Sequence, residues 1–259
     1  MILEGKTIIV SGVGPGLGLE IARVVLRDGG NVVLGARNED KLKNLATELD
    51  DSGARVAYRR TDITDSGQCD ALVATAIDRF GHVDGLAQVA ALDTIFGGVR
   101  DTSVDDWNAS FTTNVLGPVH LVRAIAPKLK ASGGGGIVLI GSQSSLLPQV
   151  PQIAYGAAKG ALMSAMYFMA KELGPDKIRV NTVVPTWMWG PPVQGYVSMT
   201  AEQQGVPEAQ IVAGITANMP LGQIPADEDV AEAVVFLLSD RARMITGQSL
   251  FVNAGELMR

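Results

Sequence analysis

The residues best suited to acid–base chemistry are Tyr155 and Lys159, in the run Ala154-Tyr155-Gly156-Ala157-Ala158-Lys159. Their spacing puts both on one face of a helix. A free phenol titrates near pH ~10 and is a poor base at neutrality. An ammonium beside it favours the phenolate, so the spacing predicts a lowered tyrosine pKa. A phenol tuned in this way suits proton exchange with a carbonyl or alcohol oxygen. Helices also carry such pairs by chance, the tyrosine packed in the core and the lysine in solvent, so the pair alone decides little. Ser142 follows the apolar run Ile137-Val138-Leu139-Ile140, and from there its hydroxyl would reach the same oxygen. Asn114, in Thr113-Asn114-Val115-Leu116-Gly117, sits in an apolar helical stretch. A buried amide there needs a partner.

A second feature could hold an anion. The first strand-like run leads into Ser11-Gly12-Val13-Gly14-Pro15-Gly16-Leu17-Gly18. Glycines let the backbone turn sharply and approach a pyrophosphate, while the next helix points its free N–H groups at it. The spacing is Gly-x3-Gly-x-Gly at Gly12, Gly16 and Gly18, not the general Gly-x-Gly-x-x-Gly. An ordinary strand-to-helix turn is the bland alternative, and position between first strand and first helix argues against it. At the end of the second strand, Ala36 stands where an acid would read ribose hydroxyls, and Arg37 follows. Arginine pairs well with a 2′-phosphate. This favours NADP(H), with NAD(H) as the alternative. Asp62 and Ile63, after the third strand, are placed to meet the adenine. Asp62 is equally explained as a turn residue.

These side chains need a scaffold, and the chain supplies one of alternating type. Strand-like runs lie at 6–10, 31–36, 55–60, 85–90, 136–140, 178–184 and 249–252. Helical stretches intervene at 17–28, 39–50, 66–80, 104–130, 154–173 and 229–238. Continuously apolar strands between helices predict an α/β fold, a parallel sheet covered on both faces. All 259 residues are expected in a single domain. The rhythm breaks between Pro185 and Asp227, a Pro/Gly-rich stretch carrying Trp187, Met188, Trp189, Tyr196, Met199 and Met219. A connection this long is usually functional. Residues 186–226 are expected to form a lid.

Composition narrows the partners. A net charge of −6 leaves no basic footprint for nucleic acid. No apolar run approaches the ~18 residues of a membrane helix. The single Cys69 cannot form an internal disulfide, nor build a metal site with the two histidines unaided. No metal and a cytoplasmic location are expected.

Taken together, these motifs resemble the short-chain dehydrogenase/reductase family over nearly the whole chain. The supporting residues are Gly12-x3-Gly16-x-Gly18, Asn114, Ser142, Tyr155-x3-Lys159, Arg179-Val180-Asn181 with Pro185, Ser239-Asp240, and Ile245-Thr246-Gly247-Gln248. The resemblance implies a doubly wound Rossmann fold with a seven-stranded parallel sheet. It implies that Tyr155 passes the proton, Ser142 stabilises the reacting oxygen, Lys159 holds the ribose and tunes Tyr155, and Asn114 helps hold a water in the relay. It places Gly12, Gly16, Leu17, Gly18, Arg37, Asp62, Ile63, Ala90, Tyr155, Lys159, Pro185 and Met188 against the cofactor. Ser142, Ser144, Tyr155, Trp187 and Trp189 are placed against the substrate.

The chain departs from the family pattern in four places, one being Thr186 after Pro185 where the family usually has Gly. Gln88-Val89-Ala90-Ala91 replaces Asn-Asn-Ala-Gly. The C-terminal Asp-Gly-Gly appears as Asn253-Ala254-Gly255. Gly190 replaces the threonine that commonly contacts the nicotinamide carboxamide, which shifts anchoring towards the backbone near Met188.

The substrate is expected to be a bulky apolar ketone or secondary alcohol, such as a steroid, terpenoid or cyclic compound. A 3-oxoacyl thioester on acyl carrier protein or CoA is the runner-up. Enoyl reduction is disfavoured, because such relatives space Tyr and Lys more widely. A catalytically silent cofactor sensor is the alternative from another class. The helix at 154–173 is apolar nearly all round, so burial on more than one side, in a homotetramer or dimer, is expected.

Overall fold

Alternate residues of the first strand face opposite ways, and that alternation organises the molecule. The computed structural model describes residues 1–258. Ile8 and Val10 point to one face of the sheet, with Val32 and Leu34 beside them. Ile9 and Val33 point to the other. Apolar residues on both faces require cover on both faces, and helices provide it.

The seven strands are β1 (Thr7–Ser11), β2 (Asn31–Ala36), β3 (Val56–Arg60), β4 (Gly85–Gln88), β5 (Gly135–Ile140), β6 (Ile178–Pro185) and β7 (Ser249–Val252). All pair in parallel, in the order β3-β2-β1-β4-β5-β6-β7. Helices α1 (Leu17–Arg27) and α9 (Asp227–Leu238) pack on the first face, with α2 (Glu39–Leu49) beside them. There Leu17, Ile21, Val24, Val230 and Val234 are buried. Helices α3 (Ser66–Phe80), α5 (Gly117–Ala131) and α6 (Ile153–Leu173) cover the second face through Leu72, Val73, Leu121, Ile125, Leu162 and Met166. Each such side chain contributes roughly 1.5–3 kcal/mol on burial.

The chain reverses its winding between β1 and β4, so a crevice opens at the C-terminal ends of these strands. Gly12, Val89, Ser142 and Thr186 all lie just past a strand end, on that edge. Two local structures were not foreseen. The stretch 104–130 is α4 (Val104–Phe111), a π-helical turn at Thr112–Leu116, then α5. The irregular stretch after β6 contains two helices, α7 (Pro191–Gln204) and α8 (Glu208–Thr216), which pack on each other. Among the described residues no helix is long and apolar enough to cross a membrane.

Candidate active site

Helix α6 begins beside the end of β5, which brings Tyr155, Lys159 and Ser142 into one cleft. The cleft has a volume of about 340 Å³. Lys159 is buried and donates a 2.7 Å hydrogen bond to the carbonyl of Ile140. Its Nζ lies 5.6 Å from the centre of the Tyr155 ring. The Ser142 and Ser144 hydroxyls are 2.7 Å apart, and Ser142 Oγ also accepts from the Ser144 N–H.

The electrostatics differ from the expectation drawn from spacing. Burial pushes the Tyr155 phenol up to about 12, the Ser142 hydroxyl acts in the opposite sense, and Asp93 adds to the rise. Burial pushes Lys159 down to about 8. The expected lowering of Tyr155 by Lys159 is therefore not what the protein alone shows. The same burial that brings the pair together disfavours both charged forms.

Asn114 sits in the π-helical turn, fully buried. Its Oδ1 accepts from the Leu92 N–H at 2.9 Å, and its Nδ2 donates to the Leu92 carbonyl at 2.9 Å and to Ser110 Oγ at 3.2 Å. The amide pins the loop after β4, where Asp93 enters the cleft. Gln88 braces the same loop from inside the sheet, its Nε2 donating to the Ala90 carbonyl at 3.0 Å.

A second cavity of about 360 Å³ lies beyond Val89, Ala91 and Asp93, which line both spaces. Gly12, Arg37, Asp62, Ile63 and Ala90 line it. Gly16 and Leu17 line the first cleft, with Pro185 and Met188. The turn between them is shaped for close approach. A Cβ on Gly12 would lie 2.2 Å from Ala90 N, and one on Gly18 would lie 2.4 Å from Gly12 O. Gly16 has φ 115°, a conformation that favours glycine. The two cavities share a wall at Val89, Ala91 and Asp93 and between them extend from Arg37 to Tyr155, with α1's free N–H groups between, a layout that suits a nicotinamide dinucleotide. Asp62 is held in its own turn. Thr64 N–H and Oγ donate to its carboxylate and keep it below the usual range, aided by Arg37 and Arg60.

Trp187 lines the cleft and packs on Tyr196, ring centres 5.3 Å apart. Trp189 does not line it. That ring lies outside, exposed, beside Pro191 and Gln194. Two groups in or beside the cleft escaped sequence reading. Glu256 accepts from Gln143 Nε2 at 2.7 Å, from Gln149 Nε2 at 2.5 Å and from Thr186 Oγ1. Asp227 lines the cleft from the start of α9. Neither belongs to a motif with recognisable spacing. Cys69 is buried, its thiol pushed up to about 12, and is inert. Among the described residues no cluster of His, Cys, Asp and Glu could hold a metal.

Residues 12–256 match the family model described as enoyl-(acyl carrier protein) reductase. L-rhamnose 1-dehydrogenase (NAD(P)(+)) of Azotobacter vinelandii is 32% identical, over 98% of each chain. The chain belongs to the short-chain dehydrogenase/reductase family. It is thus a nicotinamide-dependent oxidoreductase acting between CH–OH and C=O. The 7alpha-hydroxysteroid dehydrogenase of Escherichia coli K12 is 29% identical, over 98% of this chain and 94% of its own. Among solved structures, a short-chain type dehydrogenase/reductase from Mycobacterium ulcerans superposes with TM-score 0.88 at 28% identity, over 99% of this chain and 91% of that one. A substituted actinorhodin polyketide ketoreductase with NADPH gives TM-score 0.87 at 28% identity, over 97% of both.

Proposed function

We propose that this short-chain dehydrogenase/reductase interconverts a bulky cyclic ketone and its secondary alcohol with NADP(H), Tyr155 serving as general acid and base. The supporting observation is the meeting of Ser142, Tyr155 and Lys159 in one cleft, whose neighbouring cavity, sharing Val89, Ala91 and Asp93, is lined by Arg37. When bound, NADPH would supply the hydride in reduction and NADP⁺ would take it up in oxidation. The Ser142 hydroxyl, beside the phenol, hydrogen-bonds the reacting oxygen and holds it against Tyr155. In reduction the phenol gives its proton to that oxygen; in oxidation it takes one. Lys159, buried beneath the ring, positions the cofactor's ribose and adds positive charge on the side where phenolate develops.

Arg37 supports the 2′-phosphate reading. Among the described residues no carboxylate lies within 4.0 Å of its guanidinium, so it has charge to offer. Leu147, Val150, Trp187, Met188 and Val193 give the cleft its apolar wall, and Gln143, Gln149 and Gln152 its polar edge. That mixture suits a ring system carrying a few oxygens, the class to which the hydroxysteroid and 2,5-dichloro-2,5-cyclohexadiene-1,4-diol substrates in two relatives' names belong. Lys159 is the only cation among the lining residues, which gives an acidic carrier protein little to dock on. α7 and α8 serve as the lid. The exposed Tyr167 and Phe168 of α6 support self-association, which we take to be a homotetramer in the cytoplasm.

The test is loss of reduced-nicotinamide absorbance with NADPH and with NADH, against steroidal and monocyclic ketones and acyl thioesters. Turnover of cyclic ketones with NADPH preferred is expected. Turnover of thioesters alone, or preference for NADH, contradicts the substrate or the cofactor reading respectively.

A further inference from the structure

Three helix N-termini converge on one carboxyl group. Asp227 is the first residue of α9, and its carboxylate stands against Gly16, the N-cap of α1, and Gly190, the N-cap of α7. A Cβ on Gly190 would lie 2.2 Å from Asp227 Oδ2, and one on Gly16 3.5 Å from it. The carboxylate thus fills the space a side chain at 190 would take. The residue is 9% exposed, and among the described residues its side chain has no hydrogen-bond partner and no ion pair. Its neighbour Asp229 is, by contrast, engaged with the Ala226 N–H at 2.8 Å.

The carboxylate is largely buried, its accessible part faces the cleft, and no donor of the protein meets it there. Burial raises its affinity for a proton, and Glu20 of α1 acts in the same direction. The helix N-termini around it favour negative charge. What is missing is a hydrogen-bond donor. The group faces the cleft that holds Tyr155, Lys159, Pro185 and Met188, the end where the reactive ring belongs. Pyrophosphate offers only acceptors and cannot supply that donor. The donors in the nicotinamide half are the ribose hydroxyls and the carboxamide NH₂, and Lys159 already serves the ribose end. Resting on the NADP(H) reading above, we propose that Asp227 accepts a hydrogen bond from the nicotinamide carboxamide, the anchoring contact that Gly190 cannot make. Its charge favours the oxidised, cationic ring over the reduced, neutral one.

The test is binding of the full chain to NADP⁺, to NADPH and to the 3-acetylpyridine analogue of NADP⁺, in which a methyl group replaces the amide nitrogen. Titration calorimetry reads each affinity without turnover. A hydrogen bond to a charged group sets discrimination at about tenfold or more. Wild type is expected to prefer NADP⁺ over the analogue by about that factor, and Asp227→Ala to bind both alike. Asp227→Asn keeps an acceptor oxygen and loses the charge, so it retains that discrimination while its NADP⁺/NADPH affinity ratio falls. The Asn variant keeps the test readable if Ala destabilises the fold. Equal analogue discrimination in wild type and Asp227→Ala overturns the proposal, as does an unchanged NADP⁺/NADPH ratio in Asp227→Asn. Failure of wild type to bind any nicotinamide cofactor would overturn the cofactor reading itself, a distinguishable result.

Discussion

The Lys159 ammonium lies 5.6 Å from the centre of the Tyr155 ring, yet its short hydrogen bond goes to the Ile140 carbonyl. The lysine is held under the tyrosine by the end of β5. Both side chains lose solvent there, and each drifts towards its neutral form: the phenol up to about 12, the amine down to about 8. In the protein alone Tyr155 stays a neutral phenol at neutral pH. A difference titration of wild type against Tyr155→Phe is expected to show no phenolate from this residue below pH ~10, the ordinary midpoint. A phenolate band at neutral pH would contradict the burial argument.

Lys159 carries a stability consequence with a definite sign. Its folded pKa, about 8, lies below the ~10.4 of an unfolded lysine, so the unfolded state binds more protons between those values. Holding the charge costs the folded state on the order of 3 kcal/mol below pH 8, and that cost fades as pH rises towards 10. Lys159→Met is expected to be inactive and at least as resistant to denaturant at pH ~7, with its advantage shrinking towards pH ~10. A variant much less stable than wild type at neutral pH would show that the bond to Ile140 outweighs the burial of charge.

Arg37 can be tested separately from the chemistry. A charge-assisted bond to phosphate contributes about 1.5–3 kcal/mol. Arg37→Ala is expected to weaken NADPH binding about ten- to hundredfold and leave NADH nearly unchanged. Parallel losses for both cofactors would show that Arg37 does not read the 2′-phosphate.

Glu256 ties the C-terminal segment to the substrate edge of the cleft through Gln143, Gln149 and Thr186. Removing the acceptor leaves the Gln143 Nε2 only its long 3.4 Å contact with Thr186 Oγ1, at a cost of about 1–3 kcal/mol. Glu256→Ala is expected to lower stability by that amount and to raise KM while kcat changes little. Loss of kcat at constant KM would place Glu256 in the chemistry instead.

The fold, and the grouping of Ser142, Tyr155 and Lys159 in one cleft, were legible in the sequence because they rest on local rules. Strands β2 and β7 and helix α3 fall at the bounds their patterns predict. The seven-stranded parallel sheet follows from apolar runs that must be covered twice. Helices α7 and α8 were missed because Pro191, Pro192 and Gly195 mask a start whose proline is in fact well placed at a first turn. Trp189 and Trp187 are indistinguishable as residue types two apart, and only the turn before α7 decides that one faces the cleft and the other solvent. Gln143–Glu256 and Gly190–Asp227 join positions far apart in the chain, so no spacing announces them. The pKa of Tyr155 was misjudged for a related reason. Spacing reports the neighbour, while burial depends on everything packed around the pair.

We propose that Tyr155 moves the proton in a ketone–alcohol interconversion. The most direct test is single-turnover reduction by Tyr155→Phe, with NADPH affinity measured alongside. Removing a general acid is expected to cost about 10²- to 10⁴-fold in rate, with affinity unchanged. A variant that binds NADPH normally and turns over the ketone at the wild-type rate would contradict the account.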